Sequence, residues 1–188
     1  AGVYAFGQAS NMDKFAPKAV LTSVENNWGP YYVDRVKAVA NGTWSQKDTW
    51  HGIGDGMVVI SDLDSAIPSD LQAKVKKLQA DLAPVWEECK AFFDSKTSLT
   101  GADYYEEIVR ISERYGWLFG SEIGGHIIGK FPHERLEKEV KDHYIHRDNH
   151  TDLFAPDQTG KPRNWILEIH LINPKREFGG FFEQLLTV

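Results

Sequence analysis

The stretch Asn164 to Ile172, "NWILEIHLI", decides how the chain reads. Strand alternation puts Ile166, Glu168, His170 and Ile172 on one face and Trp165, Leu167, Ile169 and Leu171 on the other. The second face is wholly apolar and calls for a core. The first carries a carboxylate, and a carboxylate set in so apolar a strand needs a metal, a basic partner or solvent. "GGFFEQLL" (179–186) poses the same problem, with Glu183 among Phe181, Phe182, Leu185 and Leu186. The turn-rich "PDQTGKPR" (156–163) precedes the first of these two strands.

Upstream the texture is helical. Ser69 with Gln72 makes a capping box, and Leu71, Val75, Leu78, Leu82, Trp86 and Cys89 recur at three and four residues, predicting one long amphipathic helix to about Phe93. A second helix is expected behind Thr100, through Tyr104, Ile108 and Ile111 to about Tyr115. Between helices and strands lies "GGHIIGKFPHE" (124–134), with His126 and His133 on either side of a glycine and a proline. The whole reads as α+β, with helices on one face of an antiparallel sheet. Two glutamates on neighbouring strands and a histidine after a glycine pair are the ingredients of a divalent-metal site with oxygen and imidazole ligands. The other reading of the same residues puts both glutamates at edges facing water and the histidines on the surface.

"GGHIIGKFPHE", "NWILEIHL" and "GGFFEQLL", with "LAPVWEECKAFFDSKTSLTGADYYEEIVRISERYGWLFG" (82–120) ahead of them, resemble the pita-bread metallopeptidases, the family of methionine aminopeptidase, aminopeptidase P and creatinase. The resemblance covers residues 76–188 and is closest to short aminopeptidase P-like members. It implies His126, Glu168 and Glu183 as ligands of a divalent metal (Mn, Co, Fe or Zn), and His133 and Glu168 as catalytic residues. In that reading His133 steadies substrate and the tetrahedral intermediate, Glu168 takes part in acid/base work and Glu183 bridges two ions. The implied substrate is a peptide, cleaved after its first residue where proline follows. Such a site also uses two aspartates eleven residues apart. In this chain only Asp70 and Asp81 have that spacing, and both fall in the long helix, about 16 Å apart at 1.5 Å per residue. The site is therefore expected to be incomplete and its peptidase activity weak or absent, unless second copies in a homo-oligomer or a partner chain supply the aspartates.

His143, His146 and His150 in "HYIHRDNH" are read as a polar turn, and the single cysteine, Cys89, as a buried inert thiol. Two Asn-X-Thr triplets, at Asn41 and Asn149, match a glycosylation pattern that short motifs meet by chance.

The first segment differs. "GVYAFG" (2–7) and "AVLTSV" (19–24) read as buried strands, and "GPYYVDRVKAVANG" (29–42), ahead of "MVVI" (57–60), as a helix with Pro30 in its first turn and Gly42 closing it. That is an α/β unit with part of a parallel sheet. "GIGDG" (52–56) leads into a strand and reads as a turn rather than a phosphate loop. "FGQAS", "FAPKAVLTSV" and "WGPYYVDRVKAVANGTW" resemble a second family, the basic membrane protein group of solute-binding lipoproteins that feed ABC importers, several of which bind purine nucleosides. The resemblance implies part of one α/β lobe over residues 1–75. The family's ribose-binding aspartate and its lysine fall at Ala9 and Asn26 here, with Phe6, Ser10, Asn11 and Trp28 as the candidate ligand-binding residues. Phe6 or Trp28 could stack on a base or pack in a core.

The net charge of −6 and the pI near 5.6, without a cluster of Lys or Arg, argue against nucleic acid and anionic membranes and for a peptide or small-molecule partner. No apolar run reaches the ~18 residues of a membrane span. The chain opens at Ala1 without an initiator Met, so residue 1 is not expected to be a native start. Localisation is not fixed by the sequence. The two resemblances abut near residue 75. The main reading is a metallopeptidase-like hydrolase with an incomplete dinuclear site, because its named chemical residues survive while those of the binding segment do not. The alternatives are the solute-binding component of an ABC importer and a chimera of two gene fragments with neither function intact.

Overall fold

The computed structural model describes residues 2–47, 49, 51–128 and 141–187. The chain divides into two compact units, Ala1–Lys76 and Lys77–Val188.

In the first unit, strands β1 (Ala5–Ala9) and β2 (Val20–Asn26) run parallel, and β3 (Val58–Ile60) pairs with β2 antiparallel. Helix α1 (Trp28–Ala40) follows β2 directly. The sequence reading placed β3 in a parallel sheet. The structure turns it round because the loop after α1 returns to the end where β2 stops: the Asn27 N–H donates to the Met57 carbonyl at 2.7 Å, and the ladder opens at Asn26 opposite Val58. β1 also sits later than read, since its ladder begins with Ala5 opposite Val20. Gly7 lies against Ser23 so closely that a Cβ there would come within 2.1 Å of its Oγ. Val20 is the one large apolar side chain buried among the described residues of this unit.

Helix α2 (Ser69–Asp94) passes through the division between the units, and its buried positions, from Leu78 to Phe93, belong to the second. Helix α3 (Gly101–Arg114) starts where its sequence says. The Thr100 hydroxyl accepts from the Asp103 N–H at 3.1 Å, satisfying one of the first-turn donors. Against these helices stands an antiparallel sheet of β4 (Leu118–Phe119), β5 (Ile123–Ile127), β6 (Tyr144–His146), β7 (Trp165–Ile172) and β8 (Gly179–Leu185). β7 is the central strand, with β8 along one edge and β4 and β5 in succession along the other. Its face of Trp165, Leu167, Ile169 and Leu171 is fully buried in one cluster with Val85, Trp86, Tyr104, Ile108 and Ile111. The Trp86 indole donates to the Leu167 carbonyl at 3.2 Å and the Trp165 indole to that of Leu153 at 2.9 Å, so both large rings are buried without an orphaned N–H.

One local feature sets the direction of β5. Its register shifts between Ile123 and His126, and Gly125 takes a φ of 145°, which side chains on L residues rarely adopt. A Cβ at Gly125 would lie 2.0 Å from the Ile166 carbonyl oxygen. Beyond the shift, His126 pairs directly with Ile166 and so shares the face that carries Glu168.

Candidate functional site

The face of β7 turned away from the helices carries the chemistry. His126 on β5, Glu168 and His170 on β7, and Glu183 opposite Glu168 on β8 all lie on it. The Glu168 carboxylate is buried between two imidazoles: His126 Nε2 is 3.4 Å from Oε1 and His170 Nε2 is 3.0 Å from Oε2. The Phe181 and Phe119 rings frame His170, with centroids at 4.6 and 6.0 Å. His126 Nδ1 sits 2.9 Å from the Ile127 carbonyl, which takes only a donor, so Nδ1 carries the proton. A neutral ring in that tautomer would turn the Nε2 lone pair toward a carboxylate oxygen. A backbone carbonyl fixing the far nitrogen is the usual second support of a metal-bound histidine.

Glu183 is exposed, although it stands directly across the ladder from Glu168. Among the described residues no three His, Cys, Asp or Glu side chains gather as a group that could hold a metal ion. Two of the implied ligands thus meet, the third is held at a neighbouring position, and no catalytic step is routed through an ion here. His133 lies outside the described residues. Asp70 and Asp81 are both on α2, paired with Lys74 and Lys77.

Of the remaining histidines of this unit, His146 has a structural role. His146 Nδ1 accepts from the Asp148 N–H at 3.0 Å at the end of β6, and the Asn149 amide holds the Tyr144 carbonyl at 2.8 Å. Cys89 is fully buried in the core, and burial, with the nearby Glu88 and Glu107, pushes its thiol far above the ordinary range.

In the first unit the candidate residues cluster by strand ends. Ser10 and Asn11 follow the carboxyl end of β1, and Trp28 follows that of β2; in open α/β sheets ligands bind outside the carboxyl ends of parallel strands. Asn11 turns its Oδ1 to the Asp13 N–H at 2.9 Å and lines a cavity of about 380 Å³ with Lys14, Thr22 and Ser61. Trp28 lines a different cavity of about 350 Å³ with Asn26, Tyr31, Lys47, His51 and Met57. Its indole stacks on Tyr32 at 5.9 Å and meets the edge of Tyr31 at 5.8 Å. Phe6 lies in the middle of β1, exposed, and lines neither cavity. Tyr31, Lys47 and His51 escaped the sequence reading. The available signal was that His51 is the one histidine in the first half of the chain.

Comparison with known proteins divides the chain in a corresponding way. Residues 1–85 match the family described as ABC transporter substrate-binding protein, PnrA-like. A purine-binding protein of Brucella abortus (strain 2308) is 44% identical over 79 residues, which are 42% of this chain and 22% of that protein. The chain spans about a fifth of the length of this curated relative. These findings favour the solute-binding reading, held above as an alternative, over the metallopeptidase reading of the whole chain. No helix among the described residues is long and apolar enough to cross a membrane.

Proposed function

We propose that residues 1–85 act as a ligand-contacting piece of an ABC-importer substrate-binding protein, and that the solute is a purine base or nucleoside. The observation that carries this is the 44% identity to a purine-binding protein. The site favoured is the cavity beside Trp28, which combines an exposed indole, the Tyr31 ring, the Asn26 amide and the His51 imidazole at the carboxyl end of β2. Aromatic rings suit the π-face of a purine, and the polar groups suit its edge nitrogens. Ser10 and Asn11, at the end of the neighbouring parallel strand, remain proposed contacts. Titration of the chain with adenine, guanine and their nucleosides, followed by tryptophan quenching, tests the reading. Saturable quenching is expected, weakened roughly 5- to 100-fold by Trp28→Ala, the range for losing one base stack. Absence of quenching at millimolar ligand would sink it.

A second reading is favoured by one observation, the approach of His126 Nε2 to Glu168 Oε1 at 3.4 Å from adjacent strands. In this reading His126, Glu168 and Glu183 hold a single divalent ion, of Mn, Co, Fe or Zn, and residues 76–188 are metallopeptidase-like toward peptides with proline second. Such an ion would supply Lewis acidity and an activated water. What this chain's own residues supply is the placement: Gly125 aims His126, and His170 holds Glu168 from the other side. Metal content after Mn²⁺ loading and desalting decides it. About one ion per chain, lost in His126→Ala, is expected, and equal metal in both proteins overturns it. The chimera reading predicts failure of both tests.

A further inference from the structure

The polar side chains lining the cavity beside Trp28 sort by what they can do. The Asn26 amide, the Thr49 hydroxyl and the His51 imidazole each have a donor and an acceptor, so they fit either kind of purine edge. The Lys47 ammonium and the Trp28 indole only donate. Among the described lining residues the one acceptor-only side chain is the Met57 thioether, which accepts weakly. Main-chain acceptors of the same loop are engaged already: the Met57 carbonyl accepts from the Asn27 N–H at 2.7 Å, that of Gly56 from the Asn27 amide at 3.0 Å. The Asp55 carboxylate, 3.6 Å from His51 Nδ1, accepts from the Gly52 N–H at 3.1 Å and is not a lining residue. A second cation backs the aromatic wall, since the Arg35 guanidinium lies 4.8 Å from the Tyr31 ring centroid with its Nε buried and unpaired. In a chain of net charge −6, this cavity is therefore biased toward a ligand edge rich in acceptors.

We infer that the cavity selects 6-oxopurines, such as hypoxanthine and guanine, over adenine, and that Lys47 is the residue that decides it. The inference rests on the purine reading of this site proposed above. A 6-oxopurine presents O6 and N7 as two adjacent acceptors, and a lysine ammonium reaches both. Adenine sets an amino donor beside N7, so the same ammonium meets a donor and keeps one acceptor at most. Asn26 suits adenine, but its amide turned over suits O6 and N1–H equally, so it does not separate the two. Lys47 cannot be turned over, because all three of its hydrogens donate.

The test is tryptophan quenching of the full chain by hypoxanthine and by adenine, which share one ring system and differ at position 6. Parent, Lys47→Met and Lys47→Arg are titrated side by side. Hypoxanthine is expected to bind the parent roughly 5- to 150-fold more tightly than adenine, the range for one such pair. Lys47→Met, which keeps the stem and removes the donor, should bring that ratio to about one, whereas Lys47→Arg should preserve it. Lys47 is exposed, so neither variant disturbs a core, which far-UV circular dichroism checks. A parent that binds adenine at least as tightly as hypoxanthine overturns the inference and leaves the purine reading standing. So does a preference unchanged in Lys47→Met. Absence of saturable quenching by either base at millimolar concentration overturns the purine reading itself, and this inference with it.

Discussion

The two units spend their apolar residues in opposite ways. In the second, the aromatic and aliphatic side chains of α2, α3 and β7 meet in one cluster, and Ile128, Phe154 and Phe181 are the exposed large ones among its described residues. In the first, Val20 is buried while Tyr4, Phe6, Phe15, Val24, Trp28, Tyr32, Val33, Val36, Val39 and Trp44 stand in solvent. The sequences do not differ in kind: both have strands of alternating or continuous hydrophobicity and a helix with an apolar stripe. What differs is whether a second layer exists to receive those faces. β7 has two helices over it, whereas β1 to β3 and α1 make one α/β unit, and the relative that matches this segment is far longer than the segment. A fold can thus be locally well specified and still lack its core.

The largest test of that contrast is in the second unit. Trp165→Ala removes a fully buried ring and orphans the Leu153 carbonyl it now holds, and should cost about 3–5 kcal/mol in urea unfolding followed at β7 by amide exchange. A cost below about 1 kcal/mol would mean that the second unit does not unfold as one cooperative core.

The same contrast explains how much could be read beforehand. The alternation of Trp165, Leu167, Ile169 and Leu171 was legible because one face of β7 is core and the other is not. α3 was legible because Thr100 caps it. β4 and β6, of two and three residues, are too short to show any period and were not read. The antiparallel entry of β3 depends on a loop contact at Asn27 that no local pattern encodes. On the site side, strand period placed His170 beside Glu168, but its hydrogen bond to that carboxylate needed coordinates. The cavity beside Trp28 draws Lys47 and His51 from a loop, where spacing in sequence carries no geometric meaning.

A middle-sized effect separates the units by pH. Burial acts to raise the Asp152 carboxyl, but hydrogen bonds from the Phe154 N–H at 2.9 Å, the Ser98 hydroxyl at 2.8 Å and the Leu99 N–H at 3.2 Å outweigh it, holding the group below the ordinary aspartate range. The folded value lies below the unfolded one, so the stability it gives is present above about pH 3.9 and is lost as pH falls through the folded value. Asp152→Asn keeps an oxygen for both N–H donors and an amide for the serine, and so isolates the charge. Its unfolding midpoint should fall less steeply between about pH 4 and pH 2 than that of the parent. Equal slopes would assign the acid limb to other carboxyls.

The smallest effect is the most diagnostic for the first unit. Phe15 is 70% exposed, with Lys14 Nζ 4.9 Å from its ring centroid. In a unit without a core, Phe15→Ser should change stability by no more than about 0.5 kcal/mol, read as the urea midpoint at constant slope. A loss approaching the about 3 kcal/mol of a buried phenylalanine would require that something covers Phe15 in solution. The exposure of this unit's faces would then belong to the isolated chain alone, and the contrast between the two units would be one of missing partners rather than of missing order.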